Sequence, residues 1–342
     1  LRGPGRFISS DLKQAMTETL ARGEQALLFL NRRGFASLPI CAACGAALRC
    51  RNCDISLTLH QAANAYRCHY CGFRLPASAA CGACGSSQIK RLGMGTEKVE
   101  AAVRALFPAA RVARMDRDTT RRRGDLVKLL KGLREKKFDV LVGTQMVTQG
   151  HDFPDITLVG IICADLSLSF PDFRAGERTF QLLSQVAGRA GRGERPGQVI
   201  LQTFNPEHFS IRAACAQDFA AFYEQEIEFR RALGYPPVTR LIQLRLSGRD
   251  ERSTREQAEA LGAQCRVLRA EDPGVAESIQ VLGPIEAPLA RIAGQFRWQI
   301  LVKSAQTGAL QRFADRLLAA LPHGLARGRV RLVIDVDPLH FM

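Results

Sequence analysis

Short, largely apolar runs alternating with amphipathic stretches predict an α/β fold built on a parallel sheet. The run at 26–30, Ala-Leu-Leu-Phe-Leu, has no polar alternation, as expected of a strand covered on both faces. The strand-like stretches 138–142 and 156–163 each follow a helix-like or loop segment, the βα alternation of a doubly wound sheet. A cysteine-dense stretch interrupts this pattern, and a smaller α+β domain follows it.

The elements can be assigned in chain order. Ser10 and Asp11 open a helix running to Leu20, capped by Ser9 or Ser10. The 26–30 strand ends at Asn31-Arg32-Arg33-Gly34. Beyond the cysteines, 97–107 is amphipathic, with Val99, Val103 and Leu106 at helical spacing. Residues 112–115 read as a strand, 121–124 as an arginine-rich loop and 125–137 as a basic helix. Strands at 138–142 and 156–163, a helix at 175–187 and a strand at 198–203 complete the first domain. A single long helix is expected over 209–233, broken by Gly234-Tyr235-Pro236-Pro237. The last domain reads as strand 241–246, helix 253–269, strands 279–282 and 298–303, helix 308–321 and strand 330–336. The expected division is 1–38 with 89–207 for the α/β lobe, 39–88 for the insertion, 208–238 for a helical connector and 239–342 for the C-terminal α+β domain.

Composition sets further bounds. The 342 residues include 48 Lys and Arg against 33 Asp and Glu, a net charge of +15. At 46% hydrophobic and 24% charged the chain is globular, and its basic excess favours an anionic partner, nucleic acid first. There is no run of 18 apolar residues, so no membrane-spanning helix is expected. The start at Leu1-Arg2-Gly3-Pro4, without Met or a signal peptide, reads as the downstream part of a longer cytoplasmic protein.

Eight of the 11 cysteines form four C-x-x-C pairs: Cys41/Cys44, Cys50/Cys53, Cys68/Cys71 and Cys81/Cys84. Two such pairs make one tetrahedral site of four thiolates, so four pairs predict two structural zinc ions. Gly45, Gly72 and Gly85 follow three of the pairs, where a knuckle turn needs positive φ. A disulfide framework is disfavoured in a cytoplasmic setting. The spacing allows nested pairing, inner with inner and outer with outer, or sequential pairing. Cys163, Cys215 and Cys265 stand alone and read as small core hydrophobes. Tyr66, Arg67, His69, Tyr70, Phe73 and Arg74 mix rings with cations, suiting either base stacking or the small core of a metal-bound ribbon. The cations of 111–137 suit either a DNA phosphate-tracking face or a solvated one.

Residues 184–193 read Ser-Gln-Val-Ala-Gly-Arg-Ala-Gly-Arg-Gly, with Arg189 and Arg192 three apart on or beside one helical face. This stretch resembles motif six of the superfamily two helicases. Residues 143–154, from Gly143-Thr144-Gln145 through Gly150-His151-Asp152, resemble motif five, and 28–34 resembles the motif-four region. The four knuckles, Gly95-Thr96-Glu97, the stretch 165–174, Gly234-Tyr235-Pro236-Pro237 and the ending 335–338 then resemble the PriA family of replication-restart helicases.

That resemblance implies a second RecA-like helicase lobe, two zincs in nested four-cysteine sites and a C-terminal accessory domain. It implies that Arg189 and Arg192 reach the γ-phosphate of ATP and that Gln185 orders the cleft. Asp152 and Gly150 would lie on the nucleotide side, and Thr144, Gln145 and Arg32 would contact DNA. ATP and Mg are then substrates of the complete protein, which would act on forked or single-stranded DNA as a nucleoid-associated monomer. Its partners would be primosome proteins and single-strand-binding protein. No G-x-x-x-x-G-K-[ST] phosphate loop occurs in these residues, so this chain alone is expected to hydrolyse no ATP. The competing readings are a non-catalytic zinc-ribbon scaffold that binds nucleic acid and another superfamily two motor.

Overall fold

A computed structural model describes residues 8–31, 38–61, 63–92, 95–120, 122, 124–148, 153, 155–168, 170–191, 195–272, 277–321, 325 and 328–341. In chain order the elements begin α1 (Ser10–Ala21), β1 (Gln25–Leu30), β2 (Leu38–Cys41), β3 (Thr58–His60), β4 (Ala65–Arg67), β5 (Arg74–Pro76) and β6 (Ile89–Leu92). They continue α2 (Thr96–Leu106), β7 (Val112–Met115), α3 (Asp125–Arg134), β8 (Val140–Gly143), β9 (Ile156–Ile162), α4 (Asp165–Leu168), α5 (Ala175–Ala187) and β10 (Gln198–Leu201). The chain closes with α6 (Phe209–Ala216), α7 (Phe219–Leu233), β11 (Arg240–Gly248), α8 (Glu251–Glu271), β12 (Ile279–Ile292), β13 (Gln295–Ser304), α9 (Thr307–Ala319) and β14 (Arg331–Val336).

Backbone contacts divide the chain into two compact units, each built from separated segments. The first is Leu1–Ala47, Cys81–Phe170 and Arg174–Phe222; the second is Leu48–Ala80, Pro171–Phe173 and Tyr223–Met342.

The first unit is a five-stranded parallel sheet in the order β10-β9-β1-β8-β7. Every residue of β1 and β9 is buried, because helices cover both faces. Successive β1 side chains enter opposite cores. Ala26, Leu28 and Leu30 pack with Leu12 and Met16 of α1 and with Val99 and Val103 of α2. Leu27 and Phe29 pack instead with Leu133, Leu183, Val186 and Ile211 from α3, α5 and α6. Gly160 lets α1 lie close on the sheet: a Cβ there would stand 2.7 Å from Leu28 and 2.8 Å from Leu12. Ser9 is the α1 cap, its hydroxyl accepting the Leu12 N–H at 3.3 Å.

The second unit carries an antiparallel sheet, β12-β13-β11-β14. Ile242, Leu244 and Leu246 of β11 and Ile300 and Val302 of β13 pack with Ala258, Leu261 and Leu268 of α8 and with Leu310 and Phe313 of α9. Trp298, the single tryptophan, packs against this core.

Three local expectations change. The single helix over 209–233 is two: Gln217 takes a left-handed conformation (φ 54°), and the Asp218 carboxylate accepts the Ala221 N–H at 2.9 Å to start α7. Cys163 and Cys265 are buried, but Cys215 is exposed on α6, so it is no core residue. The strand expected at 279–282 continues to Ile292 before turning back into β13.

Candidate metal centres and the turn after helix α5

The eight paired cysteines gather into two clusters, Cys41/Cys44/Cys81/Cys84 and Cys50/Cys53/Cys68/Cys71. In each, the four sulfurs lie within 4.8 Å of one another. The pairing is nested, outer pairs together and inner pairs together. Facing sulfurs are 3.5 Å apart for Cys41–Cys84, 3.7 Å for Cys44–Cys81 and 3.6 Å for Cys50–Cys71. A tetrahedron with metal–sulfur bonds of about 2.3 Å has edges of about 3.8 Å, so these donor sets fit zinc in type and spacing.

The local backbone makes both clusters. Each knuckle closes with an N–H four residues on: Gly45 to Cys41 O, Asp54 to Cys50 O, Gly72 to Cys68 O and Gly85 to Cys81 O, at 2.8–3.1 Å. The closing residue has positive φ in all four: 76° at Gly45, 75° at Gly72, 73° at Gly85 and 48° at Asp54. Aspartate tolerates that region better than most residues, so the knuckle without glycine has a physical reason. The N–H groups of Cys44 and Ala43 pull the Cys41 thiol down to about 6, favouring the thiolate a metal binds. Four thiolates this close ionise together only around a cation.

The clusters belong to different units. The outer one sits at the β2–β6 pair of the first unit, with Cys41 and Cys81 buried and Cys44 and Cys84 exposed. Gly45 also lies under the Phe204 carbonyl, where any Cβ would collide with backbone. The inner cluster, with the β3–β4–β5 sheet, forms part of the second unit. It covers the sheet face opposite α8 and α9, where Gln243 and Gln299 are fully buried. Gln243 Nε2 donates to Gln299 Oε1 at 2.7 Å, and Gln299 Nε2 donates to His69 O at 2.8 Å. Tyr235 donates its hydroxyl to Cys53 O at 3.1 Å, and its ring stacks on Phe173 at 4.7 Å. Tyr70, wholly buried, meets the rings of Tyr235 and Phe341.

His69 is buried between the Cys68 and Cys71 knuckle and β12, its Nδ1 2.8 Å from Glu286 O. Burial pushes its pKa down to about 4. It is no ligand. Of the mixed rings and cations, Tyr66, His69 and Tyr70 are core. Phe73 stays half-buried with the Arg51 guanidinium 4.8 Å over its ring.

The helicase-motif residues fall along the first unit's sheet. Thr144, buried, follows the C-terminal end of β8, its N–H donating to Met115 O at 3.3 Å. Gln145 opens a short 3-10 turn. Gln185 is exposed on α5, and Arg189 is buried just beyond it. The two arginines were expected on or beside one helical face; α5 ends at Ala187 and Gly188 caps it, so Arg189 stands beside the helix, in the turn after it. Arg192, Arg32, Gly150 and Asp152 lie outside the described residues.

The Gly191 N–H donates to Ile156 O, the first residue of β9, which puts this turn at the N-terminal edge of the sheet. Thr144 lies at the other edge, about 16 Å away along five strand residues. Gly191 of the motif meets a local packing need. Gly191 and Gly197 stand backbone to backbone, leaving no room for a Cβ on either.

One buried acid had no sequence signal. Glu24, 7% exposed, precedes β1 and accepts from Arg22 Nε at 3.0 Å, Thr157 Oγ1 at 2.7 Å and Arg195 NH1 at 2.9 Å. The Arg22 hydrogen bond foremost, with those of Thr157 and Arg195, holds its carboxyl down to about 2. A lone Glu ahead of a strand has no spacing that would reveal it.

A parallel sheet covered on both faces, interrupted by nested four-cysteine clusters and followed by an antiparallel α+β unit, defines an α/β lobe with a metal-binding insertion. The helicase conserved C-terminal domain matches residues 92–194, the PriA DNA helicase Cys-rich region matches 50–76 and the primosomal protein N C-terminal domain matches 231–339. Over nearly all of its length the chain is similar to proteins named PriA. It is 40% identical to the replication restart protein PriA of Bacillus subtilis over 99% of this chain and 42% of that one. It is 41% identical to the protein of that name from Synechocystis, over 99% and 40%. The Treponema pallidum protein of that name is also 41% identical, over 98% and 50%. The chain thus spans two fifths to half the length of these relatives.

Proposed function

We propose that this chain is the C-terminal part of an ATP-dependent 3′-5′ DNA helicase that recognises stalled or forked DNA and initiates primosome assembly in replication restart. The observation that carries this reading is the order of parts. A helicase C-terminal domain, nested four-cysteine clusters and a primosomal C-terminal domain occur in one chain at about 40% identity to restart proteins.

Zinc, bound by the four thiolates of each cluster, fixes the fold of the insertion and takes no part in chemistry. Arg189 and Arg192 stabilise the charge that develops on the γ-phosphoryl group of ATP, with Gln185 ordering the cleft. Gly150 and Asp152 face the nucleotide, and Thr144, Gln145 and Arg32 contact the DNA backbone. ATP and Mg are held by the lobe that carries the phosphate loop, so these 342 residues alone turn over no ATP. The protein works as a cytoplasmic, nucleoid-associated monomer with DNA, primosome proteins and single-strand-binding protein. Among the described residues no helix is long and apolar enough to cross a membrane.

The test is ATP hydrolysis by the natural-length protein, with and without forked DNA, beside Arg189→Ala. DNA-stimulated turnover that falls at least about a hundredfold in the variant, with DNA affinity within about twofold, is expected. Turnover that is absent under every DNA condition would instead favour a non-catalytic zinc-ribbon scaffold. Normal turnover by the variant would remove the role given to Arg189.

A further inference from the structure

The turn that carries Arg189 is held at several points along the N-terminal edge of the sheet. Its entry is fixed by Arg189 N–H to Val186 O and Ala190 N–H to Ala187 O, the last bonds of the helix end. Its middle is fixed by Gly191 N–H to Ile156 O. Its return arm is pressed against Gly191 at Gly197. Arg195, on that return arm, reaches back to Glu24 at 2.9 Å.

Glu24 gathers these pieces. One carboxylate oxygen takes Arg22 and Thr157, and the other takes Arg195. Thr157 belongs to β9, one residue beyond the Ile156 that holds Gly191. The carboxylate therefore ties the start of β1, the start of β9 and the arm beyond motif six into one local frame. It is buried and stays ionised, because three donors converge on it. The guanidinium of Arg195 is mostly exposed, and Glu24 is its ion-pair partner among the described residues.

The geometry points to Glu24 and Arg195 as positioning residues for Arg189: their ion pair sets the turn after α5 at the height on the sheet edge from which Arg189 acts. This rests on the function proposed above. An arginine that stabilises a transferring phosphoryl group acts chiefly in the transition state, so a misplaced turn lowers kcat while leaving ATP binding nearly unchanged.

Three variants test it: Arg195→Ala, which removes an exposed side chain; Glu24→Gln, which removes the buried charge; and Arg195→Lys, which restores a cation. Amide exchange at Gly191 is followed in this chain, and steady-state ATP hydrolysis with forked DNA in the natural-length protein. Arg195→Ala and Glu24→Gln should each speed Gly191 exchange about tenfold. Each should lower kcat about tenfold, with KM for ATP and DNA affinity within about twofold. Arg195→Lys should recover most of both. Unchanged Gly191 exchange and kcat in Arg195→Ala, beside an active parent, would overturn the positioning role and leave the helicase reading intact. A parent protein that hydrolyses no ATP with any DNA would overturn the helicase reading, and the catalytic role of this pair with it. Equal loss of kcat and of DNA affinity would also overturn it, because that pattern reports general disruption of the lobe.

Discussion

Replacing one inner ligand, Cys50→Ser, should loosen the whole second unit rather than the insertion alone. Without its metal the inner ribbon has too little core to hold its shape. Three hydrogen bonds then go with it: Tyr235 to Cys53 O, Gln299 to His69 O and His69 to Glu286 O. At about 1 kcal/mol each these contribute about 3 kcal/mol. Uncovering Tyr70, which is wholly buried, removes about 2 kcal/mol more. A loss of about 5 kcal/mol lowers Tm by about 10–20 °C for a unit of this size. The chain has one Trp, and Trp298 lies in β13 of this unit, so its fluorescence reports the transition. Metal analysis should find one zinc fewer per chain. A variant that lacks one zinc but melts at the parent's Trp298 transition would refute the coupling. A variant that keeps both zincs would refute the ligand set.

Other consequences can be measured on the same chain. A chelator should strip zinc in two phases, the outer site first, because Cys44 and Cys84 are exposed while only Cys71 of the inner four is even partly open; Cys44→Ser should abolish the fast phase and keep the slow one. Gln299→Ala leaves the buried Gln243 amide and His69 O without their partner and should destabilise the second unit by about 2–4 kcal/mol in thermal or denaturant unfolding. Glu24 titrates near 2 when folded against an ordinary 4.5, so the unfolded chain takes up the proton first. Its contribution is complete above about pH 4.5 and lost as pH falls towards about 2, and Glu24→Gln should flatten the stability curve across that window.

How legible each feature was depends on the range of the forces that make it. The sheet strands β1 and β9 were readable because burial on both faces writes runs that are almost wholly apolar, with Gln25 and Thr157 the exceptions. The knuckles were readable because ligand spacing is local. Which knuckles share a metal was not, since nested and sequential pairing satisfy the same spacing, and only the fold brings Cys41 to Cys84. The break between α6 and α7 hid behind a residue that is neither Gly nor Pro, although Asp218 was a usable cap signal. The sequence left open whether Arg189 lies on the helix or beside it, and Gly188, where the helix stops, decides for the turn. The Glu24 cluster joins residues up to 171 positions apart, which leaves no pattern in the sequence.

The second unit is assembled from pieces of chain that leave the ribosome at very different times. The inner ribbon is complete at Ala80, yet Tyr235 and Phe341, which cover Tyr70, come 155 and 261 residues later. At about 5–20 residues per second, about 13 to 52 s pass before Phe341 is made. Until then the aromatic side of the ribbon has only part of its cover, from Phe173 and then from Tyr235. Zinc captured early at Cys50, Cys53, Cys68 and Cys71 would then act as a safeguard during synthesis, because a clamped ribbon presents one rigid face to wait with instead of a loose apolar segment open to aggregation.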